Sequence, residues 1–434
     1  MISKTFLTVV CIVSIATTAF GSGYGVFTQG ASGLGQANAV VAHPIGPSSL
    51  YFNPALMNDI PGRQIEIGTT AVYADREVKL DSTGQTEDAD NSWNSPSTLY
   101  YTHEANEKIT AGIGVFFPFG LSSEWDDDYE GRYIGTSVEM FSMNINPVIS
   151  YQVTDRLSLA AGLDFIYVDT DMRAIVNQTV AGLLLPPALG GPINELLPDV
   201  RQKYTGDGWG LGYNLGALFK ATDRVSIGMA YRSKVDVDLD GDLSFSHVDP
   251  RLTLLLPNSM ATSEIKLPAQ FAAGIATQIT DNLIVEVGAR WEDWDSNNKM
   301  TLELELPFLG QSSISQPRDW HSTWAYNIGG NYRINEKVAI NFGYLYGENP
   351  VPNSTFEPLI PDTDAHLFTI GTDLTCGTWT LSGAFGYEYH ESRDKNNAIG
   401  DPLGSQVAGR PVNTANGEYD TDIYLIAISL GYSF

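Results

Sequence analysis

The sequence predicts an all-β transmembrane barrel of about fourteen antiparallel strands. Three observations lead there: segments of about ten residues alternate apolar with small or polar side chains, short turns alternate with long loops, and the last strand is aromatic and ends in Phe434.

The chain opens with Lys4 and an apolar run from Phe6 to Ala19, and Ala19 and Gly21 fit the −3 and −1 positions of a cleavage site. This predicts a secretory signal peptide over 1–21 and a mature chain beginning near Ser22. The run is too short to span a bilayer, and no later stretch approaches the ~20 apolar residues a spanning helix needs. Cys11 would leave with the signal, so Cys376 would remain alone, as a packing residue with no disulfide partner. The net charge of −27, from 51 acidic and 24 basic residues, excludes nucleic acid as a partner because phosphates would be repelled. The acidic runs Asp126-Asp127-Asp128 and Asp81–Asp90 read as solvated loops, or more pointedly as divalent-ion bridges to an anionic lipid surface.

Strand signals begin near Gln64. In "LSLAAGLDFIY", Leu157, Leu159, Ala161, Leu163, Phe165 and Tyr167 share one face, and Ser158, Ala160, Gly162 and Asp164 lie on the other. "LIVEVGARWE" separates Val285, Val287, Ala289 and Trp291 from Glu286, Gly288, Arg290 and Glu292 in the same way. A period of two means strands with one greasy and one polar face. "QVTDRL", "KATDRV", "QITDNL", "RINEKV", "HEANEK" and "LTCGTW" are tight turns, whereas 80–96, 120–137, 171–206, 237–262, 294–318, 348–364 and 391–419 are long connections. Six turns and seven loops join fourteen strands. Aromatics at strand ends (Tyr167, Tyr231, Trp291, Tyr344, Tyr346, Tyr387, Tyr389) suit interfacial girdles, which a soluble sandwich would not need. The closing "YLIAISLGYSF" places Tyr424, Ile426, Ile428, Leu430, Tyr432 and Phe434 on one face. Such a strand resembles the signal read by the bacterial barrel-assembly machinery.

A barrel of this size leaks unless it is filled. Residues 22–60 precede the first strand and show no alternation, so they are expected inside as a small helical hatch, with 61–434 as the barrel. "YFNPA" reads as its rigid joint, because Pro54 forces Asn53 out of the helical region.

"SGLGQANA…SSLYFNPA" resembles the N-terminal hatch of the outer-membrane long-chain fatty acid transporter family (FadL/TodX type). "FFPFGLSSEW", "YRSKV", "LPAQFAAG", "RWEDW", "GYLYGENPVPN" and "PDTDAH" follow in the order that family shows, over essentially the whole mature chain. The resemblance implies a bacterial outer-membrane, multi-pass protein that passes hydrophobic or amphipathic small molecules inward and releases them laterally through a kink in the third strand. Long-chain fatty acids are the expected cargo and aromatic hydrocarbons the alternative; a general porin or an adhesin is a different class. Asn53, Pro54 and Ala55 would form the gating joint, and Gly112 and Gly114 would tolerate the kink.

Two long loops are unusually apolar. One holds Leu183, Leu184, Leu185, Leu189 and Leu197, the other Leu252, Leu254, Leu255 and Leu256, and together they would form an acyl-capturing groove at the outer face. By alternation Arg232, Lys266 and Arg290 point into the lumen on adjacent strands, where they could meet one carboxylate. The structural alternative is that these cations pair with Glu264, Glu286 or Glu292. No enzyme reading holds up. The His residues have no metal-ligand spacing, no phosphate loop occurs, and "GASGLG" lacks the second glycine of a nucleophile elbow. No cofactor or metal is expected. Membrane lipid, lipopolysaccharide and the assembly machinery are the expected partners, and the chain is expected to be a monomer.

Overall fold

The computed structural model describes residues 23–91, 93–407 and 412–434; the expected signal peptide lies outside them. Fourteen barrel strands follow in chain order. They are β1 Arg63–Leu80, β2 Ser97–Asn106, β3 Ile109–Phe116 continued by Gly120–Glu124, β4 Ser137–Thr154, β5 Leu157–Val176 and β6 Val200–Lys220. Next come β7 Val225–Arg232 continued by Val235–Ser246, β8 Ser259–Leu267 continued by Gln270–Thr280, β9 Leu283–Glu292 continued by Lys299–Phe308, and β10 Gln311–Pro317 continued by Thr323–Asn335. The last four are β11 Val338–Gly347, β12 Ala365–Cys376, β13 Trp379–His390 and β14 Gly417–Ser433.

Each strand pairs antiparallel with the next, and β1 closes on β14 from Gln64↔Ser433 to Leu80↔Gly417. Closure satisfies the spanning backbone internally, which a bilayer demands. Leu163, Phe165, Leu211, Ile275, Val287, Ile328, Ile370 and Ile426 stand exposed on the outer wall, the inverse of a soluble protein. Aromatic pairs such as Tyr167–Trp209, Tyr213–Tyr231 and Tyr387–Tyr424 mark the ends of this belt. The expected connection over 294–318 is instead the rim hairpin of β9 and β10, turning at Leu309 and Gly310. Cys376 is exposed rather than packed.

Residues 23–60 are largely buried within the barrel. Helical content is slight: α1 Ala31–Gly35, α2 Ser49–Phe52 and a 3₁₀ stretch Pro54–Asp59. Glycines on the wall allow the close approach. A Cβ on Gly329 would lie 2.1 Å from the Gln36 carbonyl oxygen, and one on Gly228 would lie 2.0 Å from that of Val41. Glu286, fully buried on β9, takes the Val41 and Ala42 amides at 2.6 and 2.9 Å and faces His43 Nδ1 at 2.7 Å.

The close approach makes a testable demand. Gly329→Leu should lift residues 36–41 off the wall while leaving the ladder intact, since overpacking costs about 1–3 kcal/mol locally. Heat-modifiability should persist, with more proteolysis near residues 36–41 and raised conductance in a planar bilayer. A variant as protected and as non-conducting as the parent would show that close approach does not hold the segment.

Candidate functional site

The third strand is where the ladder fails. Leu99↔Val115 is the uppermost pair between β2 and β3, and Gly120–Glu124 pairs only with β4 among the described residues. Phe116 faces Asn144 and Gly120 faces Phe141, so β3 carries one residue more than β4 across this interval. That count defines a bulge at Phe117, Pro118 and Phe119, where proline also removes an amide donor. The wall between β2 and β3 is therefore unzipped above Val115, and it closes again where the Asp90 amide meets the Glu124 carbonyl at 2.7 Å.

The kink was expected at Gly112 and Gly114, and the structure corrects this. Both lie in unbroken ladder. Their missing side chains make room for the N-terminal segment: a Cβ on Gly112 would meet Met57 at 2.6 Å and Leu50 at 2.7 Å, and one on Gly114 would meet Leu50 at 3.1 Å.

The N-terminal segment supplies partners for the freed backbone. Val26 N–H donates to the Pro118 carbonyl at 2.8 Å, and Gly120 N–H donates to the Tyr24 carbonyl at 2.9 Å. The Gln29 side chain donates to the Phe117 carbonyl at 2.7 Å, and Gly25 bridges Phe119. Asn53, Pro54 and Ala55 sit elsewhere, against β6. The Asn53 amide donates to the carbonyls of Val41 at 2.8 Å and Ala217 at 3.0 Å, while its oxygen accepts from Ala55 N–H at 3.1 Å.

A pocket is bounded by Tyr51, Phe52 and Pro54 of the N-terminal segment on one side and by Ala230, Ala272 and Arg290 of the wall on the other. Arg232 lines it too but is committed, forming a buried ion pair with Asp164, whose carboxylate also takes the side-chain amides of Asn144 at 2.6 Å and Asn214 at 3.2 Å. Arg290 differs. Among the described residues it makes no salt bridge, its buried Nε has no hydrogen-bond partner, and its guanidinium lies 3.2 Å from the Phe27 ring centroid. A buried donor without a partner is costly, and an incoming acceptor relieves it. Lys266 is not in the lumen. It reaches Glu264 at 3.1 Å and lies opposite Asp236 on the outward face. The breaks at Ser233–Lys234 in β7 and Pro268–Ala269 in β8 reset the alternation, so odd positions face inward above them and even positions below.

The apolar loops do pack together. Leu185, Leu252, Leu255 and Leu256 are buried in one cluster with Val180 and Phe308 beside them, Leu184 and Leu197 lean on it half-buried, and Leu183 is half-buried at the end of a short helix, Gln178–Leu183. Leu189 and Leu254 remain exposed. Most of the expected groove residues therefore fill one another's space. Sequence reading missed Asp164, which appeared only as a polar-face residue, and Phe27, which carries no motif.

The two arginines should respond differently to truncation. Arg232→Ala strands the Asp164 carboxylate and should cost roughly 3–5 kcal/mol. Arg290→Ala breaks no salt bridge among the described residues and should cost much less. Thermal unfolding in detergent checks this order, and equal losses would contradict it.

A family model described as outer membrane protein transport protein (OMPP1/FadL/TodX) matches residues 12–434. The chain is 24% identical to a long-chain fatty acid transport protein of Escherichia coli O6:H1, over 83% of this chain and 85% of that one. It superposes on a Pseudomonas aeruginosa FadL homologue with a TM-score of 0.84 and 21% identity, covering 95% and 100% of the two chains. It superposes on the toluene transporter TodX of P. putida with a TM-score of 0.72 and 17% identity, covering 96% and 99%.

Proposed function

Because the chain belongs to the outer membrane protein transport family (OMPP1/FadL/TodX), whose members are transporters of hydrophobic molecules rather than enzymes, we propose that it carries long-chain fatty acids passively from outside into the plane of the outer membrane. The observation that carries this reading is the combination of three features: a wall unzipped above Val115, a pocket between the N-terminal segment and β6–β10, and Arg290 in that pocket, whose buried Nε has no hydrogen-bond partner among the described residues. An amphiphile requires both halves of such a site, apolar walls for the tail and a donor for the carboxylate. Residues 23–60 act as the hatch. A filled lumen argues against a general porin.

The ligand enters from the side of the apolar loops and seats its carboxylate against Arg290. Phe27, under Arg290, belongs to the same short segment as Tyr24 and Val26, which hold the bulge. Seating the ligand displaces Phe27 and thereby loosens the pairing at Pro118 and Gly120. The tail then leaves between β2 and β3 into lipid.

Two measurements test this. Deleting Pro118 removes the extra residue, restores the register with β4 and closes the wall; fatty acid uptake should collapse while the barrel remains heat-modifiable. Undiminished uptake would place the exit elsewhere. Arg290→Gln removes a charge-assisted contact worth about 1.5–3 kcal/mol. Fatty acid binding should weaken roughly ten- to a hundredfold, with toluene uptake unchanged. If both ligands are unaffected, the aromatic hydrocarbon reading, favoured by the likeness to TodX, replaces the fatty acid one.

A further inference from the structure

The upper end of the unzipped wall carries a cation of its own. Arg76 lies on the inward face of β1 and is buried. Among the described residues its guanidinium makes one hydrogen bond, from Nη1 to the Ser122 carbonyl at 2.9 Å, and no ion pair. The buried Asp362 carboxylate pulls on it from beyond ion-pair distance. One arm of the guanidinium fork is thus used, and the rest is open to an acceptor. The bond to Ser122 ties β1 to β3 past the edge of β2, close to where the Asp90 amide meets the Glu124 carbonyl.

The segment Trp93–Asn94 prolongs the edge of β2, with Trp93 opposite Tyr73 and Asn94 opposite Val72. Asn94 turns inward and is 3% exposed, and its Nδ2 has no hydrogen-bond partner. The register between β2 and β3 is the same at both ends of the gap, Leu99 opposite Val115 and Asp90 beside Glu124, so Asn94 stands level with Gly120. Ser122 is two residues farther along that edge, and the next residue, Ser123, has a buried hydroxyl that is also unpaired. A buried donor without an acceptor is costly. Depth says what would fill the place. Trp93 stands on the outer wall with its ring 5.2 Å from that of Tyr73, which neighbours Tyr424. Such rings mark the level of lipid headgroups. Asn94 is the next residue, and Arg76 lies three residues farther out along β1. A fatty acid in the outer leaflet holds its carboxylate at this level and its chain below it. Below Asn94 the edge of β2 makes no pair with β3 down to Leu99, a stretch of roughly 16 Å at ~3.3 Å per residue.

We propose that Arg76 and Asn94 form a carboxylate-accepting site at the upper end of the wall opening, where cargo leaving the Arg290 pocket rests its headgroup while its chain slides out between β2 and β3. The carboxylate takes the guanidinium from the Ser122 carbonyl and accepts from the Asn94 amide, both charge-assisted contacts. Loss of the Ser122 bond frees β3 from β1 at the top of the gap. This inference deepens the transport reading and rests on it.

The test uses the protein purified from outer membranes and reconstituted in phospholipid vesicles. The probes are a long-chain fatty acid carrying a diazirine near its carboxyl end and the matching primary alcohol, with crosslinks mapped by peptide mass spectrometry. In the wild type the acid should label both the pocket, at Tyr51 and Phe52, and the gap edges, at 93–98 or 120–124. In Arg76→Gln the acid should keep its pocket label and lose gap label by roughly tenfold or more, with the alcohol's gap label unchanged. A strut between strands would not distinguish the probes, so equal loss of acid and alcohol label makes Arg76 structural and overturns the proposal, as does no loss at all. Pocket label without gap label in the wild type overturns it while the transport reading stands; label at neither place overturns both. If Arg76→Gln does not assemble, Asn94→Val removes only the donor and suits an edge strand. Its acid label at the gap should fall about threefold or more, and label equal to wild type overturns the proposal.

Discussion

Inside a bilayer every backbone N–H and C=O must find its partner within the protein, and the rest of this structure depends on that constraint. Fourteen strands meet it by closing β1 on β14. At the bulge of β3 the ladder fails, yet the carbonyls of Phe117 and Pro118 and the amide of Gly120 still find donors and acceptors. Those partners come from residues 24–29. The N-terminal segment is thus part of the wall at the point where the wall would otherwise be incomplete.

Polar groups in the lumen serve the same accounting. Glu286 takes two amides and faces a histidine on the N-terminal segment, Asn53 links that segment to β6, and Asp164 neutralises Arg232 among two asparagines. Each is a buried group satisfied by specific geometry, which is expensive to disrupt. Arg290 Nε is one of several buried polar atoms, Asn38 Oδ1 and Arg318 Nη1 among them, that have no hydrogen-bond partner among the described residues. Arg290 also lines the pocket with Tyr51, Phe52 and Pro54, and the proposed function rests on that combination.

The strand count, the alternating loop lengths and the lipid-facing residues were legible because a period of two, punctuated by turns, is a local property. Arg232 and Arg290 were placed inside correctly for the same reason. Lys266 was misplaced because Pro268 interrupts β8 and shifts the parity, and simple alternation carries no memory of such a break. Gly112 and Gly114 suggested a kink because glycine weakens strands, but whether a glycine bends a chain or admits a neighbour is decided by tertiary contact, here with Leu50 and Met57. The bulge itself needed the register against β4. The partnership of Arg232 with Asp164, 68 positions away in the chain, was invisible for the same reason.

Magnitudes decide whether one segment can both seal the wall and yield to a ligand. Four hydrogen bonds join residues 24–29 to the bulge, one through Val26, one through Gly120 and two between the Gln29 side chain and the Phe117 backbone. At about 0.5–1.5 kcal/mol each, they hold the segment with roughly 2–6 kcal/mol. A ligand bound at micromolar affinity brings about 8 kcal/mol. On the proposed route, such contacts would hold the segment at rest and still lie within the binding energy of an amphiphile. If a ligand seated at Arg290 loosens the bulge as proposed, that coupling is reciprocal, and whatever strengthens the seal at Pro118 would weaken the binding by the same factor. A stiffer hatch would seal better and admit less, and the modest number of bonds at the bulge sits between those limits.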